Sequence, residues 1–324
     1  MTVLCEVLRS GVVESRHHGS VIATAPGGKP RFRIGDPGAP IFPRSCNKPL
    51  QGVAMVRSGL ELPGELMALA CSSHAGESFH EDGVRRILGL AGLSEGALGN
   101  TPGLPLDARR RWEVVRDGGE PTRIANNCSG KHAAMLLTCV RRGWPTDGYL
   151  DPAHPLQETI AETVSELAGE RPAHVGVDGC GAPIHAVSLA GLARAYRTIG
   201  TAGDGAEAEV AAAMRAHPAW VGGPRRIVTA YMANVPGLLA KDGAESVCAV
   251  AFPDGRGAAF KIDDGSARAV APVLSSLLRA LGADTSAAEA ALRAVAPTQE
   301  EADGTGGGEV RAVPFDDAAP AAAA

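Results

Sequence analysis

A serine and a lysine three residues apart can be a nucleophile and its base. In the stretch PRSCNKPLQ, Ser45 and Lys48 have this spacing, and it occurs nowhere else in the chain. Serine attacks a carbonyl carbon only after a base takes its proton, and a neutral lysine one helical turn away can be that base. An N-capping serine beside a solvated lysine would show the same letters. Lysine usage separates the two readings: the chain has 26 arginines and 5 lysines. Arginine keeps its proton in proteins, whereas a buried lysine can lose it and serve as a base or a ligand. Each surviving lysine is therefore a candidate for chemistry that arginine cannot do.

Lys29 follows Gly27 and Gly28 in a predicted hairpin turn and reads as a solvated charge. Lys131 lies three residues after Cys128 in NNCSGKHAAML, and Cys180 sits in a second glycine-bounded turn, DGCGAP. Two thiolates suit zinc, although an amine as third ligand is unusual and must be neutral; on spacing alone, a buried unreactive cysteine is the better reading of each. Ser73-His74 has the letters of half a hydrolytic triad, but neighbours on a strand point apart and need not meet. His132 at the start of a helix is open in the same way.

These residues need elements to position them. VLCEVL, SVIATA and PRFRIG read as a meander of strands. From Ser45 the period becomes helical up to Gly59, and Pro49 is tolerated only in a first turn, so the helix must begin close to Ser45. That puts Ser45 and Lys48 on one helical face. The run Leu66 to Cys71 is apolar without a period and could be strand or helix. GKHAAMLLTCVRR reads as a helix stopping at Gly143, with Asn127, Cys128 and Ser129 at its amino end. PLQETIAETVSELAG reads as another, with Leu156, Ile160, Val164 and Leu167 on one face. HVGVDGCGAP reads as a strand entering a turn, AVSLAGLARAY as the helix after it, and SVCAVAFPDGRGAAFKIDDG as a hairpin turning at Asp254-Gly255. Strands at both ends with helices between them predict an α/β fold, its sheet gathering the terminal strands and covered by helices. Low complexity predicts disorder from Ala302 onward. One catalytic domain is expected over residues 1–315, with 316–324 as a tail.

The composition, 45% hydrophobic and 21% charged, is that of a globular protein with material for a large core. Net charge is −5 and the basic residues are scattered, so neither a nucleic acid nor a membrane surface is an expected partner. A small-molecule substrate is. No apolar run reaches the roughly 18 residues of a membrane helix and no leader pattern opens the chain, so a cytoplasmic location is expected. Seven cysteines without the dense spacing of a secreted scaffold are expected to be reduced.

Taken together, RSCNKPLQ, ACSSHAGESFH, NNCSGKHAAML, DGCGAP and LLAKDGAE resemble the L-asparaginase II family of the Rhizobium etli type, the class 3 asparaginases, in order from about residue 5 to about residue 315. The resemblance implies a fold similar to serine β-lactamases and glutaminases, hydrolysis of L-asparagine to L-aspartate and ammonia, and a homodimer. It implies two serine-lysine pairs, Ser45 with Lys48 and Ser73 with Lys241. It also implies a zinc ion on Cys128, Lys131 and Cys180, with Asp178 as partner of the substrate's α-amino group. Arg44, Asn127 and His132 carry over as candidates for the polar lining. Lys241 is preferred to Lys261 because K-D-G stands where penicillin-recognising enzymes, which share the S-x-x-K spacing, have K-T-G. No S-D-N triplet appears, which separates the chain from those enzymes. The alternatives are a β-lactamase- or peptidase-like serine hydrolase, and a non-catalytic zinc-binding regulatory protein.

Overall fold

A computed structural model of the chain describes residues 2–295 and 308–315. The strands are β1 (Thr2–Arg9), β2 (Val12–Thr24), β3 (Pro30–Ile34), β4 (Pro40–Ile41), β5 (His174–Val177), β6 (Pro183–Ser188), β7 (Leu239–Gly243), β8 (Val247–Ala251), β9 (Gly257–Ile262) and β10 (Gly308–Ala312). The helices are α1 (Lys48–Arg57), α2 (Gly64–Ala70), α3 (Ser78–Leu90), α4 (Ala108–Arg116), α5 (Ser129–Arg142), α6 (Pro155–Ala168), α7 (Leu189–Thr201), α8 (Gly205–Ala216), α9 (Pro218–Val221), α10 (Ile227–Asn234), α11 (Val270–Ala280) and α12 (Ser286–Val295). No helix among the described residues is long and apolar enough to cross a membrane.

The chain forms two compact units. The sheet unit takes the described residues up to Cys46, Val187–Thr201, and those from Ala230 onward. Its sheet runs β10-β1-β2-β9-β8-β7, with β3 also paired to β2. The predicted meander is there, with Val21 opposite Ile34, and so is the hairpin, with Val247 opposite Lys261. Alternate residues are buried along the second half of β2, the pattern of a strand with one covered face. Every residue of β8 is buried, so both of its faces are covered, and α7 and α11 pack on it. Each fully buried Val or Leu there contributes about 1.5–3 kcal/mol of transfer free energy.

The sheet corrects one expectation. Gly308–Ala312, read as part of a disordered tail, is strand β10, antiparallel to β1 with Cys5 opposite Ala312. Low complexity around the segment hid the short alternation of GEVRA, and the exposed edge of β1 supplies its partners. The chain continues in order to Phe315, which is buried, with Val313 N–H donating to Leu4 O at 3.0 Å; residues 302–307 and the tail 316–324 lie outside the described residues.

The helical unit takes Asn47–Ala186 and Ala202–Thr229. Its core is α1, α2 and α5: α6 packs chiefly on α1, α8 on α1 and α2, α9 on α2 and α3 on α5. Leu66 to Ala70 are all buried, so the run without a period is a helix covered on every side; an all-apolar helix is the signature of that position. Helix α6 buries Leu156, Ile160, Val164 and Leu167 as its pattern predicts, and ends at left-handed Gly169. AVS of the predicted helix AVSLAGLARAY is instead the end of β6, which pairs with β5 in a hairpin; α7 starts at Leu189. Val187 and Ser188 pair there with Ile41 and Pro40 of β4, and that pairing, with the β-branched Val187, outweighs the helical period.

Candidate active site

In the sheet unit, Ser45 lies in a single 3₁₀ turn, Arg44–Asn47, that runs directly into α1. Arg44 has φ of 49°, a left-handed backbone that costs a non-glycine residue on the order of 1–3 kcal/mol unless its surroundings hold it. They do hold it. The Cys46 N–H donates to Pro43 O at 3.0 Å, and Tyr196 Oη donates to Cys46 O at 2.9 Å. The Cys46 thiol donates to Lys241 O at 3.1 Å, tying the turn to β7. Burial pushes that thiol up to about 12, so it does not compete with Ser45 as a nucleophile. Two residues past Lys241, Gly243 lies so close to the turn that a Cβ there would sit 2.8 Å from Pro43 O and 3.2 Å from Ser45 N. The end of β7 is thus pressed onto the Ser45 backbone. Lys241 itself is wholly buried, with Nζ 3.0 Å from Asp242 Oδ1.

In the helical unit, Lys48 opens α1 and is 2% exposed. Its Nζ donates to Ser72 O and, at 3.1 Å, to Ser73 Oγ. Ser73 stands in the segment leaving α2, pinned where its N–H donates to Val221 O at 3.0 Å. Ser73 and His74 diverge, as their adjacency suggests: His74 N donates to Asn127 O, and His74 Nε2 lies 2.8 Å from Ser129 Oγ. Burial holds His74 well below the ordinary histidine range, so it is neutral.

The amino end of α5 is carried up against the end of α2 by Gly130, where a Cβ would lie 2.5 Å from Leu69 O; only glycine allows that approach. This brings a third group together. The donor atoms of Cys128, Asp178 and Cys180 lie within 4.8 Å of one another, and Lys131 Nζ donates to Cys180 Sγ at 3.2 Å. Asp178 and Cys180 are presented by the tight turn after β5, closed by Asp178 N to Ala182 O at 2.9 Å. Their proximity sets the two thiols apart: interaction with Cys180 holds Cys128 well below the ordinary thiol range, while interaction with Cys128 and burial hold Cys180 above it. Burial acts to strip Lys131 of its proton, but the charges of Cys180, Cys128 and Asp178 outweigh it and hold the ammonium above its usual range. Two sulfurs and a carboxylate within one coordination sphere fit zinc, a borderline-soft ion that takes S, N and O donors. Lys131 fits only as a neutral amine.

Sequence reasoning missed Tyr149, whose Oη lies 2.7 Å from His132 Nδ1. Its signal was weak: one of three tyrosines, 17 positions from its partner. Burial pushes its phenol up to about 12. Also missed was Asn126, whose Oδ1 accepts the Cys128 N–H at 2.9 Å. Asn127 Oδ1, in turn, lies 3.1 Å from Cys128 Sγ. Lys261 lies apart in β9, paired across the strands to Val247 and Ser20.

No curated protein matches the sequence. Among solved structures, similarity extends to Mglu in its native form (15% identity, 79% of this chain and 62% of that chain, TM-score 0.42). It extends also to EstCE1, a hydrolase with promiscuous acyltransferase activity (13%, 86% and 92%, TM-score 0.40), and to a probable glutaminase from Bacillus subtilis complexed with 6-diazo-5-oxo-L-norleucine (13%, 81% and 81%, TM-score 0.35). The chain spans less than two thirds of Mglu's length. Scores this low carry no argument. The family profile does: L-asparaginase II matches residues 5–312, a span that takes in the Ser45 turn, the Lys48–Ser73 pair, the thiol cluster and Lys241. The chain belongs to the L-asparaginase II family.

Proposed function

We propose that the protein is an amidohydrolase that converts L-asparagine to L-aspartate and ammonia, as a cytoplasmic homodimer of the Rhizobium etli type, with Ser45 as nucleophile and Lys48 as its base. What supports the reading is the family span over both serine-lysine pairs, with Ser45 in the turn that opens α1 and buried Lys48 at the first position of that helix; the serine hydroxyl that Lys48 Nζ reaches is that of Ser73, at 3.1 Å. Neutral Lys48 takes the Ser45 proton, and Oγ attacks the side-chain amide carbon. Backbone N–H groups at the start of the helix stabilise the oxyanion, each worth on the order of 3 kcal/mol. The C–N bond breaks, and the departing nitrogen takes a proton relayed by Ser73 and Lys241. Water then attacks the acyl-enzyme, returning the Ser45 proton and releasing aspartate. Cys128, Lys131 and Cys180 would hold zinc, which when bound supplies positive charge that orders the substrate pocket. Asp178 receives the substrate's α-amino group, and Arg44 and Asn127 are candidates for its polar lining.

A second reading has a specific observation behind it: Lys48 reaches Ser73, so Ser73 could be the attacking serine and Lys48 its base. Ammonia release from L-asparagine, with L-glutamine and penicillin beside it, tests the activity. Ser45→Ala should abolish release without unfolding the protein, and mass spectrometry of acid-quenched turnover should find the acyl group on Ser45. Release within a few-fold of the parent, or acyl group on Ser73, would transfer the nucleophile's role.

A further inference from the structure

Cys128 and Cys180 come from turns far apart in the chain, and a third segment, 99–103, is bonded to both turns. Gly103 exchanges backbone hydrogen bonds with Thr122, at 2.9 and 3.0 Å, and Asn100 Nδ2 donates to Arg123 O at 2.8 Å. The segment is thereby fixed beside the stretch that leads to Cys128. From that stretch Asn126 reaches both ways: its Oδ1 accepts the Cys128 N–H at 2.9 Å, and its Nδ2 donates to Thr101 O at 3.0 Å. Thr101 Oγ1 donates in turn to Gly179 O at 2.9 Å, the carbonyl directly before Cys180. Each direction follows from what the backbone can do. A backbone N–H only donates, so the Asn126 oxygen must face Cys128 and its amide nitrogen Thr101; turned over, the amide would set donor against donor and acceptor against acceptor. A carbonyl only accepts, so the proton between Thr101 and Gly179 is the hydroxyl's. Gly103 leaves the space for this, since a Cβ there would lie 3.2 Å from Asn126 Nδ2. Hydrogen bonds thus run without a gap from the backbone of Cys128 to the backbone that carries Cys180.

We propose that Thr101 and Asn126 are positioning residues for the Cys128–Cys180 pair: the bonds through them set the separation of the two turns, and with it that of the two sulfurs. They run to backbone atoms rather than to sulfur, so ligation of a metal leaves them intact. The inference rests on the reading of the cluster as a zinc site.

Two measurements on the full chain test it. Thr101 is exposed, so replacing it disturbs no core. Thr101→Val keeps the shape and removes the hydroxyl, whereas Thr101→Ser keeps the hydroxyl. Zinc affinity, by competition with a chromophoric chelator, should fall about 10-fold in Thr101→Val, the lower end for losing an outer partner of a metal site, and stay near the parent's in Thr101→Ser. Asn126→Ala should lose at least as much, and adding Thr101→Val to it should cost little more, because the series of bonds is already broken. In the metal-free protein, the Asp178 and Gly181 amides, which close the turn after β5, should exchange hydrogen about 3–10-fold faster in Thr101→Val, the worth of one hydrogen bond, while exchange in β8 stays parental. Parental zinc affinity in Thr101→Val, equal losses in the valine and serine variants, or faster exchange spread evenly to β8 would overturn the inference. A parent chain that takes up no zinc would instead sink the metal reading, and amide exchange would then decide the inference alone.

Discussion

Two lysines of the helical unit are equally buried and differ in what their amines touch. Lys48 Nζ donates to a carbonyl and a hydroxyl, those of Ser72 and Ser73, and its charge also reaches Cys128. Lys131 Nζ lies against Cys180, with Cys128 and Asp178 adding negative charge. Burial presses any ammonium toward the neutral amine, and neutral dipoles oppose it less than anions do. The two regions therefore ask different things of the same side chain: proton exchange at Lys48, and charge balance or ligation at Lys131. The residue type alone does not say which, since both lysines stand three positions after a possible nucleophile.

Lys48→Arg is the harshest test of that difference. Arginine keeps the charge but not the exchangeable proton, so turnover should fall by about 10²–10⁴-fold, the usual worth of a general base, while zinc affinity is unchanged. Substantial turnover would make the two lysines alike. The converse belongs to the thiols. Cys128→Ser and Cys180→Ser should weaken zinc and raise the KM for asparagine, by about 10–100-fold, with kcat falling less. A drop in kcat with KM unchanged would move the cluster from positioning into the chemical step.

The sheet unit offers a control on both. Gly243→Ala places a methyl group against Pro43 O and Ser45 N, so the Ser45 turn or β7 must shift. A displaced nucleophile should lower kcat by about 10–100-fold and leave zinc binding as it was. Parental kcat would show that the contact does not position Ser45. The smallest effect is on stability. His80 is buried and its titration is pushed down to about 4, while in the unfolded chain it returns to about 6.5. The unfolded state binds more protons between those values, so stability is full above pH 6.5 and is lost as pH falls through this window. From pH 7 to 5 His80 alone should remove about 2 kcal/mol, read as a lower urea midpoint. A midpoint that rises on acidification would contradict its burial as a neutral ring.

Much of the local structure was legible. The start of α1 could be read because Pro49 admits few positions, and α6 because one apolar face repeats every turn. Legibility failed where burial was complete or pairing distant. Leu66 to Cys71 show no period because α2 has no solvent face. GEVRA becomes a strand only because β1 has an edge to offer, some 300 positions away in the chain.

The candidate site divides the same way. Residue types and short spacings determined the available chemistry: one S-x-x-K, few lysines, two cysteines in glycine-bounded turns. They also put Ser45 at the start of a helix, since that depends on a few neighbouring residues. Only tertiary structure decided which groups meet. Lys48 reaches Ser73, 25 positions on, because α1 and α2 pack in one core. Lys131 reaches Cys180, 49 positions on, because Gly130 lets the start of α5 touch the backbone of α2 and the turn after β5 supplies the second thiol. Side-chain reactivity is a local property, but protonation and partnership depend on what burial removes and what packing brings near, and a linear spacing contains neither.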